Sequence, residues 1–164
     1  MSATETAMSA LERNWGMVDK ALEDLDDVMF GERPNDESNS IGWLLFHMTR
    51  IVDRFVHTWC QDAPQLWANG GWHEKFGLDD DPNNTGQGWT KEQLEAWPLP
   101  AKDTVLGYYE AVKTAAREYF GSMLSTTRTS KLFFILISGK SIPRCSSQST
   151  MLIVSSECLP SNNC

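Results

Sequence analysis

A chain of 164 residues is long enough for one domain with a real core. With 14 Lys+Arg against 22 Asp+Glu, its net charge of -8 argues against a nucleic-acid backbone or an anionic membrane surface as partner. The longest apolar runs fall far short of the ~20 residues that span a bilayer. The segment MSATETAMSALERNWG has no basic stretch followed by an apolar one, so the cytoplasm is the expected location.

The first helix is predicted from Ala7, Leu11, Trp15, Val18, Leu22, Leu25 and Met29, which step by three or four onto one stripe. Gly31 and Pro34 are expected to end it. Ser38, Asn39 or Ser40 can cap a second helix running from about Ile41 to Gln61. Its predicted buried face is Leu44, Leu45, Met48, Ile51, Val52, Phe55, Val56 and Trp59. Trp43, His47 and Arg54 fall along the edge of that face. A long connection over about 62–102 follows, rich in Gly, Pro, Asn and Asp, and connections of that length are usually functional or hold short helices. Thr90 and Gln93 form a capping-box pattern that opens a short helix stopping at Pro98. The third long helix is predicted from about Asp103 to Leu124, burying Val105, Tyr108, Tyr109, Val112, Ala116, Tyr119, Phe120 and Met123. Three amphipathic helices with a long crossover suggest an antiparallel bundle.

Composition then changes. Residues 1–125 carry 10 basic and 21 acidic side chains, whereas 126–164 carry four basic and one acidic. All seven Trp, three Tyr and three His precede the change, and three of the four Cys follow it. Residues 1–125 are therefore expected to form the bundle. Residues 126–164 form an atypical tail, too short for a core of its own, in which LFFILI at 132–137 and MLIV at 151–154 have strand-like composition. The first of these runs is apolar, uncharged and free of proline, the signature of an aggregation segment. The tail offers no fourth amphipathic helix. Such asymmetry suggests a second domain or a disordered tail, and a shifted reading frame near Thr126–Lys131 and a genuine tail are the two explanations for it.

His47 is the sharpest candidate for chemistry, as an imidazole at the edge of an apolar helix face. A metal needs three or four donors, and no H-x-x-x-H or H-E-x-x-H pair is present. His57 lies about 80° around the helix from His47 and is expected to face solvent. His73 sits in the crossover beside Trp72 and Phe76, which could pack over a pocket mouth. Asp81, Asn83, Thr85, Gly86 and Glu92 come near a calcium-loop spacing, but Thr85, Pro82 and Gly88 depart from it, and an acidic turn-rich loop is the better reading. Cys60, Cys145, Cys158 and Cys164 form no C-x-x-C pair and read as unpaired thiols, with no base at fixed spacing to activate Cys60.

The stretch NSIGWLLFHMTRIVDRF at Asn39–Phe55, with Ser40, Ile41 and Trp43 leading to His47 and an acidic continuation at Asp53, resembles the DinB-like superfamily. QLWANGGWHEKFGL resembles the crossover of one branch of that family, and the helix from Asp103 to Leu124 resembles its third helix, so the resemblance covers about residues 5–125. It implies an all-α fold, a four-helix bundle that is often a homodimer, here with its fourth helix missing or replaced. It implies a divalent metal, nickel or zinc, held by three histidines, of which His47 matches one. The other two would come from an H-x-x-x-H pair on the last helix, and residues 126–164 contain no histidine. Some branches transfer low-molecular-weight thiols or act as thiol-dependent isomerases, and the resemblance implies a metal-dependent hydrolase or thiol transferase here. The implied function is thus a metal-dependent enzyme acting on an unknown small-molecule substrate, with an incomplete site lined in part by the Trp67–Phe76 segment. A non-catalytic helical binding or stress-associated module is the alternative, and a calcium-responsive loop a weaker one.

Overall fold

The computed structural model describes residues 2–125, and among these every regular element is helical. The apolar runs at 132–137 and 151–154 lie outside the described residues. Helix α1 (Ala3–Leu22) opens on a capping box in which the Ser2 hydroxyl accepts from the Glu5 amide at 3.2 Å and the Glu5 carboxylate accepts from the Ser2 amide. The reciprocal bonds satisfy two of the amides that a helix start leaves orphaned.

Periodicity alone overran this helix. It ends at Leu22, and Asp26 then caps a separate short helix, α2 (Asp27–Gly31), by accepting from the Met29 amide at 2.7 Å. The break turns Met29 outward and Phe30 into the core. An aspartate at the right place restarts the helix in a new phase, because its side chain competes for backbone donors that a continuing helix would bond internally.

Helix α3 (Ile41–Asp53) is capped by Ser40, whose hydroxyl accepts from the Trp43 amide at 3.1 Å. It continues as a π-helical stretch, Arg54–Gln61, closed by Asp62 in the left-handed conformation. The face it buries differs from the predicted one. Leu45 and Val56 are buried as expected, but Leu44, Met48 and Trp59 are 46%, 38% and 39% exposed. Their places inside are taken by Phe46, Thr49, Arg50, Asp53 and Cys60. The segment carries two stripes, and the one with the charged pair is the inner one, because the crossover folds over it and satisfies those charges. Gly42 allows the close approach to α2, since a Cβ there would lie 2.7 Å from Phe30 and 2.6 Å from Leu99.

The crossover holds three short helices, α4 (Leu66–Asn69), α5 (Trp72–Lys75) and α6 (Lys91–Ala96), the last opened by the predicted Thr90/Gln93 capping box. It wraps an aromatic cluster centred on Phe46, whose ring lies 5.0–6.0 Å from those of Trp67, Phe76, Trp89 and Trp97. Helix α7 (Lys102–Ser125) buries Val105, Tyr108, Tyr109, Val112, Ala116 and Phe120, matching the predicted face closely. It packs against α3 and runs antiparallel to α1, where Arg117 grips Glu12 at 2.6 and 2.9 Å. The buried Lys113 ammonium is neutralised by Asp19 and Glu110 at 2.8 and 2.7 Å. Among the described residues no helix is long and apolar enough to cross a membrane.

Candidate functional site

Trp43, His47, Arg50 and Asp53 follow one another down α3 at steps of four, three and three, so they form a column on the side that faces the crossover. At the top, the Trp43 and His47 rings stack at 5.1 Å and 10°. The His47 Nδ1 lies 2.7 Å from the Thr85 carbonyl oxygen. A carbonyl can only accept, so Nδ1 carries the proton, and the Nε2 lone pair is left for another electrophile. Thr85 is 2% exposed and held by the turn at Gly86, whose φ of +82° a side chain would strain. A Cβ there would also meet Trp43 at 3.1 Å.

One turn lower, the Arg50 guanidinium is fully buried. Its Nε donates to the Asn84 carbonyl at 3.1 Å, and one terminal nitrogen lies 3.3 Å from the carbonyls of both Asp81 and Pro82. The other terminal nitrogen reaches Gln65 Oε1 at 2.7 Å and the Tyr108 hydroxyl at 3.3 Å, and the group lies 4.3 Å over the Trp67 ring. Within the near-match to a calcium loop, the backbone carbonyls of Asp81 and Pro82 face the Arg50 guanidinium. The carbonyls around Asp81 already point at a buried cation, and a second positive charge beside it would be repelled.

Asp53, also fully buried, is the anion of the column. Its carboxylate accepts from the Leu66 and Trp67 amides at 3.0 and 2.9 Å, the first two of α4, and from the Tyr108 hydroxyl at 2.5 Å. His57 Nδ1 lies 2.7 Å from the same carboxylate, and Arg50 3.6 Å. His57 is thus not solvent-facing as the helical angle suggested; its side chain is only 13% exposed and turned inward by Asp53 one turn before it. Burial alone would push the Asp53 carboxyl up, but His57, Tyr108 and the two amides together outweigh it and hold it below the usual carboxylate range. The Asp53 hydrogen bond raises the His57 imidazole against the opposing effect of burial. Burial, then the Asp53 charge, raises Tyr108 well above its ordinary range, so its hydroxyl keeps its proton and donates it.

This pair gives the fold a pH signature. Because folding raises the His57 pKa, its stabilisation is complete below its ordinary value of 6.5 and fades as pH rises through the folded value. The Asp53 contribution runs the other way, present above its ordinary 3.8 and lost as pH falls through the lowered folded value. The urea midpoint is expected to decline from about pH 6 to pH 9, and to do so less steeply in His57→Gln. Parallel profiles for the two proteins over that range would mean that the pair holds no extra proton.

His73 bonds through Nδ1 to the Trp67 carbonyl at 3.1 Å. Trp67 and Phe76 are 0% and 1% exposed and belong to the core, whereas Trp72 is only partly buried against it. Cys60 is buried, and its carbonyl accepts from the Tyr119 hydroxyl at 3.1 Å. An ion held by three histidines does not fit these placements. Among the described residues no three His, Cys, Asp or Glu side chains converge, and His57 and His73 are turned to other partners. In the sequence His47 and Asp53 stand out through their motif, whereas Arg50, Tyr108 and Gln65 do not. An Arg-x-x-Asp pair on the Phe46 side of α3 was the available signal.

With this geometry in view, a family model described as the DinB superfamily matches residues 10–134. The chain belongs to the DinB superfamily. The match runs past Thr126–Lys131, the place where composition changes. The chain is also similar to a solved structure described as a conserved protein from Enterococcus faecalis, at 21% identity and a TM-score of 0.62, over 74% of this chain and 71% of that one. That likeness supports the helical DinB fold. No curated protein matches the chain.

Proposed function

We propose that this chain is a DinB superfamily module whose ancestral divalent-metal site is reduced to one ligand, and that it works as a non-catalytic binding or stress-associated module. The observation that carries this reading is that, among the described residues, no three-donor group forms around His47. Its Nδ1–carbonyl bond is the arrangement that prepares an imidazole for metal through Nε2. Among the described residues no group of three His, Cys, Asp or Glu side chains is gathered that could hold an ion with it. A metal-dependent hydrolase or thiol transferase would need at least two further donors to hold nickel or zinc tightly. That second reading is favoured by the same prepared tautomer.

Titration calorimetry of the full chain with nickel or zinc, followed by dialysis and metal analysis, separates the two. Weak uptake is expected, with no ion retained through dialysis, and His47→Ala should weaken it further while His73→Gln leaves it unchanged. Tight binding at one ion per chain would sink the reduced-site reading and restore the enzyme. Uptake unaffected by His47→Ala would remove His47 as a ligand altogether.

A further inference from the structure

We propose that Asn69 is a site of spontaneous covalent modification, at which the Asn69–Gly70 step closes to a succinimide and reopens as aspartate or isoaspartate. Eight asparagines stand in the chain, and Asn69 alone is followed by glycine. It is the last residue of α4, and both it and Gly70 are exposed. Its side-chain amide makes no hydrogen bond among the described residues, whereas Asn83 and Asn84 donate theirs to the carboxylates of Asp81 and Asp79 at 3.2 and 3.0 Å. Glycine at 70 is imposed by the fold. A Cβ there would lie 2.7 Å from the Leu66 carbonyl oxygen and 2.9 Å from the Trp72 ring, which itself packs against Tyr108 at 5.3 Å. The crossover therefore needs the one residue that leaves the nitrogen after Asn69 open to approach.

The Gly70 nitrogen is the nucleophile and the Asn69 Cγ the electrophile. Hydroxide takes the Gly70 amide proton. The nitrogen then bonds to Cγ as the Cγ–Nδ2 bond breaks, and Nδ2 leaves with a proton from water as ammonia. Water adds next to either ring carbonyl. Opening at Cγ gives aspartate, and opening at the Asn69 main-chain carbon gives isoaspartate, with no oxidation or reduction in either. The Gly70 amide is held by the Leu66 carbonyl at 2.7 Å, so the attack waits on local opening of that bond. Gly70 and Gly71 are the whole link between α4 and α5, with Gly71 at a φ of +64°. Isoaspartate routes the chain through Cγ and lengthens the path into that link by one atom, and both products add a negative charge. The change falls beside the Trp72–Tyr108 contact and the His73–Trp67 bond.

Ageing the full chain at mildly alkaline and mildly acidic pH, followed by peptide mass mapping, tests the assignment. The peptide bearing Asn69 should gain the mass of an amide turned to an acid, as two separable isomers. The gain should be faster at the alkaline pH, because hydroxide generates the nucleophile. Loss of the Asn69 amide should outrun loss at Asn83 and Asn84 by about tenfold or more, since the residues after those two carry side chains that hinder the attack. Asn69→Ser should abolish the change in this peptide and leave the others as they were. The same chain unfolded in urea gives the reactivity without the fold. A peptide that reacts in urea but stays intact in the folded chain would overturn the proposal, because Leu66 would then lock the amide. Equal loss at the three asparagines would overturn it as well, and so would aspartate formed without isoaspartate, which rules out the ring.

Discussion

Replacing Arg50 by methionine is expected to cost about 3–5 kcal/mol of folding stability, the usual cost of removing one partner from a buried charge pair. Methionine keeps much of the volume and deletes every donor. The carbonyls of Asp81, Pro82 and Asn84 then lose a donor inside the protein, and Asp53 loses its nearest full cation other than His57. Urea unfolding followed by tryptophan fluorescence gives the cost. Hydrogen exchange should show the largest loss of protection at 79–86. The double variant Arg50→Met, Asp53→Asn should recover part of the loss, because the uncompensated carboxylate goes with it. A single-variant cost under about 1 kcal/mol would mean that the guanidinium does not hold the crossover.

Phe46→Ala should be comparably damaging, at about 3–5 kcal/mol, the range for emptying a buried aromatic position. The Phe46 ring is fully buried and is the common neighbour of Trp67, Phe76, Trp89 and Trp97. Its removal leaves a void that four large rings cannot close without losing contact with one another. Met17→Ala is the control, since Met17 is 58% exposed and should stay within about 0.5 kcal/mol of wild type. If the two substitutions cost the same, the crossover is not packed around Phe46.

Helix α7 was legible in the sequence because one apolar stripe runs along it, and its buried Lys113 reaches out to the exposed carboxylates of Asp19 and Glu110 without turning the helix. The Thr90/Gln93 box was legible because a cap is a local matter of two side chains and two amides. Helix α3 was legible as a helix but not in its orientation. Leu44 and Met48 satisfy an apolar periodicity as well as Phe46 does. The choice between them is made by Gln65, Asn84 and Tyr108, which sit 15 to 58 residues away from Arg50. A rule that puts charges outside cannot anticipate an arginine whose partners arrive from elsewhere in the chain. The break after Leu22 failed for a similar reason, since Leu25 and Met29 continue the stripe while Asp26 starts a new helix. At His47 the residue was legible from its motif, whereas the proton on Nδ1 was set by a carbonyl 38 residues on.

Arg50 and His47 hold the crossover through main-chain oxygens. A carbonyl is the same group on every residue, so the clamp takes no notice of which side chains the segment from Asp81 to Thr85 carries. Exposed positions of that stretch can change without disturbing those bonds, while Thr85 is held by its burial. Two proteins of this kind can therefore share a backbone trace through a region where their letters no longer align.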